Sequence, residues 1–71
     1  MSMKNQVRYK KVFNQPGYAP VYEVHARRKW QTEWTILRVW SSQLVASADV
    51  RLVINRGAFT KEEKNMMKGA S

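Results

Sequence analysis

Gly57-Ala58-Phe59-Thr60-Lys61-Glu62-Glu63 places two helix signals back to back. A glycine after an apolar segment is a common C-terminal stop, because only Gly adopts the left-handed conformation there without steric cost. Thr-x-x-Glu three residues later is a capping box. The Thr60 hydroxyl can accept from the Glu63 amide while the Glu63 carboxylate reaches back to the Thr60 amide. Glu62 and Glu63 also suit the positive end of a helix dipole. The stop closes a helix over residues 43 to 56, for which Ser41 or Ser42 is a suitable N-cap. The start opens a short helix that runs to Lys68 and ends at Gly69. Val50, Leu52 and Ile54 alternate with Arg51 and Asn55, which by itself would read as a fourth strand; the paired signals favour the helix. Such a helix is apolar nearly all round, with Ala46, Val50 and Val53 on one side and Leu44, Ala48 and Leu52 on another. It calls for the sheet on one side and the last helix or a second copy of the chain on the other.

Upstream, three segments read as strands. Val7-Arg8-Tyr9-Lys10-Lys11-Val12-Phe13 is rich in β-branched and aromatic residues and stops before the turn at Pro16-Gly17. From Val21 to Trp30, Tyr22, Val24 and Ala26 alternate against Glu23, His25, Arg27 and Lys29, the pattern of a strand covered on one face. Gln31-Thr32-Glu33 connects it to a third strand, Trp34 to Trp40. The expected fold is α+β: a three-stranded antiparallel sheet joined by two hairpins, followed by a helix and a short C-terminal helix. No linker or repeat divides the chain, so residues 1–71 are read as one small domain, with 1–6 and 69–71 as disordered tails.

Composition narrows the function. Thirteen Lys and Arg against five Asp and Glu give a formal net charge of +8 on 71 residues, a single-sign field that attracts polyanions. There is no Cys, so disulfides, thiolate nucleophiles and zinc ribbons are excluded, and the chain is compatible with a reducing cytoplasm, the expected location. One His excludes a multi-His metal site, and no cofactor or metal is expected. No apolar run suits a bilayer span or a secretory signal, and no basic amphipathic helix suggests a membrane surface. His25 on a charged strand reads as a surface residue or phosphate contact rather than a general base. Without a phosphate loop or nucleophile motif, no enzyme is expected.

The cations are interleaved with aromatic rings, the pairing that lets a base stack while its phosphate is neutralised. Arg27, Arg28, Lys29 and Trp30 mark the end of the second strand. On the third, Trp34, Ile36, Arg38 and Trp40 fall on one parity, with Leu37 and Val39 on the other. If Leu37 and Val39 face the helix, Trp34, Arg38 and Trp40 face away from it, beside Arg27 and Lys29. Arg8, Lys10 and Lys11 add weaker candidates on the first strand, of interest for sharing the sign of the hairpin charge. The competing structural reading makes the indoles core and the cations a guard on a strand edge. Arg38 between Ile36 and Trp40 fits a buried face poorly, so at least one of Trp30, Trp34 and Trp40 is expected to be exposed. The functional expectation is a small, non-enzymatic nucleic-acid-binding protein, with RNA or single-stranded DNA favoured over duplex. The alternative is a protein-binding modulator or inhibitor, of a kind phages and mobile elements encode, docking on an acidic surface of a larger nucleic-acid-processing enzyme. A homodimer through residues 44–54 is compatible with both.

Overall fold

The computed structural model describes residues 5–68. Strands β1 (Asn5–Val12), β2 (Val21–Arg28) and β3 (Thr35–Trp40) are followed by helices α1 (Gln43–Arg56) and α2 (Lys61–Lys68). The sheet is antiparallel throughout in the order β1-β2-β3, which is the expected α+β architecture. β1 already begins at Asn5, so residues 5 and 6 are strand rather than tail. The rest of the two expected tails, 1–4 and 69–71, and with them the Gly69 stop, lie outside the described residues.

Local chemistry accounts for the joints. Pro16 and Gly17 occupy the centre of the first turn, closed by the Tyr18 amide donating to the Gln15 carbonyl at 3.3 Å. Gly17 has φ 83°, which a type II turn demands at its third position. Ser42 caps α1, its hydroxyl accepting from the Val45 amide at 3.5 Å, and Gly57 ends it at φ 77°. The Gly57 amide donates to the carbonyls of Ile54 and Val53 at 3.1 and 3.3 Å. The capping box of α2 is formed in both directions: Thr60 amide to Glu63 Oε1 at 2.9 Å and Glu63 amide to Thr60 Oγ1 at 3.2 Å.

α1 lies on one face of the sheet. Ala46 and Val53 are buried there, with Val24 and Ala26 of β2 and Leu37 of β3, while Phe59 and Met67 close the end of the core. Burying a Val, Leu, Phe or Met side chain contributes roughly 1.5–3 kcal/mol. With five such side chains among the buried residues, polar interactions must carry a visible share of the stability. α2 does not cover the outer side of α1 as expected. It contacts β3 instead, and Leu44 and Leu52 remain 83% and 65% exposed.

A β-bulge in β3 determines which residues reach which face. Ala26 pairs with Thr35 and His25 with Ile36, yet Val24 pairs with Arg38, leaving Leu37 as an extra residue. Directly opposed residues of an antiparallel pair project on the same face, and one inserted residue reverses the alternation beyond it. Trp34 and Ile36 therefore follow the face of His25, whereas Arg38 and Trp40 follow the helix-covered face of Val24 and Tyr22. The expected common face of Trp34, Arg38 and Trp40 is corrected on this ground. Val39, expected toward the helix, is exposed opposite Glu23.

Thr35 Oγ1 is buried without a hydrogen-bond partner among the described residues. An unsatisfied buried hydroxyl costs about 1–3 kcal/mol, and replacing it by a methyl removes that cost. Thr35→Val is accordingly expected to raise the unfolding free energy by about 1 kcal/mol, measured by urea denaturation.

Candidate functional site

The sheet face turned away from α1 carries Gln6, Arg8 and Lys10 from β1, Glu23, His25 and Arg27 from β2, and Ile36 from β3, a grouping fixed by the strand registers. Trp34, one residue before β3, joins it through its contacts. The guanidinium carbons of Arg8 and Arg27 lie 4.0 and 4.7 Å from the Trp34 ring centre. The His25 ring is tilted against the same indole at 6.3 Å. Each arginine is also anchored at Nε: Arg8 donates to His25 Nδ1 at 3.2 Å, and Arg27 to Gln6 Oε1 at 2.7 Å. Arg27 Nη1 adds a bond to the Thr32 carbonyl at 3.3 Å.

His25 is 6% exposed, which corrects its reading as a surface residue. Its Nδ1 accepts from Arg8, so the proton belongs on Nε2, which donates to Glu23 Oε1 at 2.9 Å. The relay Arg8 to His25 to Glu23 orients the guanidinium against Trp34. The indole is thus no bare stacking platform. It holds two planar cations in place, and the Nη groups of Arg8 and Nη2 of Arg27 make no hydrogen bond to another described residue. Preoriented guanidinium forks of this kind match phosphate oxygens.

Arg38 and Trp40 are committed elsewhere. Arg38 Nε and Nη2 donate to the two Asp49 oxygens at 2.6 and 2.9 Å, and Trp40 Nε1 donates to Asp49 Oδ2 at 2.9 Å. Arg38 Nη1 lies 2.8 Å from Glu63 Oε2, and Arg56 Nη2 donates to Glu63 Oε1 at 2.6 Å. The Arg38–Glu63 contact is an ion pair without hydrogen-bond alignment, since Glu63 Oε2 has no hydrogen-bond partner. Burial works to raise the Asp49 carboxyl, but the bonds from Arg38 and Trp40 outweigh it and hold it below the ordinary carboxylate value. Burial likewise opposes ionisation of Glu63, and the Thr60 amide with Arg38 and Arg56 lowers it instead. The Asp49 hydrogen bond raises Arg38 further, against burial. This network ties β3, α1 and α2 together.

The remaining expected residues divide between surfaces. Arg28 lies on the helix side of the hairpin end, its guanidinium carbon 5.4 Å from the Trp30 ring centre and 5.6 Å from that of Phe59. Lys29 is exposed, and Trp30 is 69% exposed, meeting the expectation of at least one open indole. Lys10 shares the open face opposite Glu23, whereas Lys11 pairs with Tyr22 on the other face, its Nζ 5.2 Å from the Phe13 ring. Arg8 reads from sequence only as one of the weaker cations of the first strand. Its partner is 17 residues away, and only the β1–β2 register brings the two together. No family model matches the chain, and neither the curated proteins nor the solved structures contain a significant match.

Proposed function

We propose that the protein is a non-enzymatic nucleic-acid-binding module that takes RNA or single-stranded DNA. The observation that carries this reading is the Arg8–Trp34–Arg27 cluster on a sheet face that no other element among the described residues covers. Charge segregation supports it. Asp49 and Glu63 are occupied by Arg38 and Arg56, and Glu23 by His25. The excess of cations therefore faces solvent with few acids in competition. Two guanidiniums held on an indole offer phosphate contacts with little side-chain entropy left to lose, and Lys10 extends the row. Lys29 and Trp30 continue it past the strand end. Binding through phosphates predicts a strong salt dependence and little preference for sequence.

Fluorescence titration with single-stranded RNA, single-stranded DNA and duplex DNA at two salt concentrations is the direct test. Single strands are expected to bind with affinity that falls steeply with salt and to quench tryptophan emission. Absence of salt-dependent binding to all three at micromolar protein would refute the proposal.

A second reading is favoured by the uncovered α1 stripe of Leu44, Ala48 and Leu52: a protein-binding module, either a modulator of a larger protein with an acidic surface or a homodimer through residues 44–54. Leucines at i and i+8 around a small central residue leave room for a facing helix. Light scattering across concentrations separates the dimer from the monomer, and nuclease treatment separates a protein partner from a nucleic-acid bridge. Among the described residues no helix is long and apolar enough to cross a membrane.

A further inference from the structure

A groove of about 610 Å³ opens between the β2–β3 hairpin end and α2, with Arg28, Trp30, Thr32, Lys64, Met67 and Lys68 in its lining. We infer that this groove is a nucleotide subsite: the base of one unstacked nucleotide lies on Trp30 while its flanking phosphates meet Lys64 and Lys68. The inference deepens the nucleic-acid reading above and rests on it.

Three observations carry it. First, three of the lining side chains are cations and none is an acid, so the charge complementarity is to an anion. Lys64 and Lys68 are one turn apart on α2 and project side by side. Second, the ring best placed to stack is available. Trp34 is engaged by two guanidiniums and Trp40 is tied to Asp49. Trp30 carries the Arg28 guanidinium over its ring and is 69% exposed, so it keeps ring surface for a base. Base stacking needs one ring face, and the cation–π contact leaves the ring oriented. Third, the walls are braced. Gln31 Nε2 donates to the Met67 carbonyl at 3.2 Å, linking the turn to α2, and Gln31 Oε1 accepts from the Arg28 amide at 2.9 Å. Arg28 is itself held between Trp30 and Phe59. The groove thus joins two elements at a fixed separation and continues the basic row from Arg27 around the hairpin end.

The experiment uses the full chain with three probes of eight nucleotides: oligo(U), oligo(dT) and an abasic deoxyribose-phosphate strand. Affinity is measured for the wild type, Trp30→Ala, Lys64→Ser/Lys68→Ser and Arg8→Ser/Arg27→Ser, with an amide spectrum of each to establish that it is folded. Trp30→Ala is expected to weaken oligo(U) and oligo(dT) by about tenfold or more and to leave the abasic strand unchanged, because only the stack is lost. The lysine pair is expected to weaken all three. In the wild type the Trp30 indole N–H resonance, identified by its loss in Trp30→Ala, shifts on adding the base-bearing probes only. The tighter of oligo(U) and oligo(dT) names RNA or DNA as the source of the strand. Wild-type affinity of Trp30→Ala for both base-bearing strands, with Arg8→Ser/Arg27→Ser impaired, overturns the subsite and leaves the broader reading standing. Failure of every probe to bind overturns both.

Discussion

Glu63→Ala is expected to lower the unfolding free energy by about 3 kcal/mol, because it removes the α2 cap together with the buried counter-charge that two arginines share. Glu63 is 2% exposed and acts at once as capping residue of α2, acceptor for Arg56 and counter-charge to Arg38. Both arginines are partly solvated, which places the cost at the lower end of the range for buried pairs. For a domain of this size that corresponds to a fall in Tm on the order of 15 °C. The control is Glu62→Ala, which removes a carboxylate from the same helical turn at an exposed position. Its cost is expected to stay within about 0.5 kcal/mol. Equal urea midpoints for the two variants would contradict the role assigned to Glu63. Acid provides a second readout. The folded-state pKa values of Asp49 and Glu63 both lie below the ordinary 3.8 and 4.5, so between each lowered value and its ordinary one the unfolded chain binds more protons. Their stabilisation is complete above the ordinary values and is lost as pH falls through the lowered ones. Unfolding midpoints are expected to be flat above pH ~5 and to drop below it, with a shallower drop in Glu63→Gln.

The double variant Arg8→Ser/Arg27→Ser is expected to have the largest effect on binding. Each phosphate contact on a single strand contributes about 0.7 to the slope of log affinity against log salt, so losing two lowers the slope by about 1.4. That corresponds to a loss on the order of fiftyfold at 50 mM salt and about tenfold at 200 mM. Arg8→Lys/Arg27→Lys retains the charge and should recover most of the slope, while losing the planar fork that bridges phosphate oxygens. Arg51→Ser, on the outer side of α1, serves as the control for net charge alone. A double serine variant with wild-type affinity and slope would remove the open sheet face from the interface.

The helices were legible in the sequence because each is set by contacts within one or two turns. Ser42, Gly57, Thr60 and Glu63 act on atoms close by in the chain, and all four do what their positions announce. The strands and the inward side of β2 were legible through alternation at Tyr22, Val24 and Ala26. The facing of β3 was not. Alternation assumes an unbroken period of two, and nothing in Trp34-Thr35-Ile36-Leu37-Arg38-Val39-Trp40 marks the extra residue. The awkwardness of Arg38 between Ile36 and Trp40 was the one sign available. It pointed to a buried cation with acidic partners as well as it did to an open face. Asp49 and Glu63 lie 11 and 25 positions further on, distances at which pairing is a property of tertiary packing. Arg8 was undervalued and His25 misplaced for the same reason, since each is defined by the other across a hairpin.

The additional residue at Leu37 also sorts the chain's positive charge into two stocks. With strict pairing through β3, Arg38 would fall opposite Glu23 on the open face that carries Arg8 and Arg27, and Asp49 would lose the guanidinium that holds it. The irregular backbone step withdraws one guanidinium for use as a rivet between β3, α1 and α2 and leaves the others outside. A single change of strand phase therefore sets both how firmly the helices are fastened and how much charge the opposite surface presents.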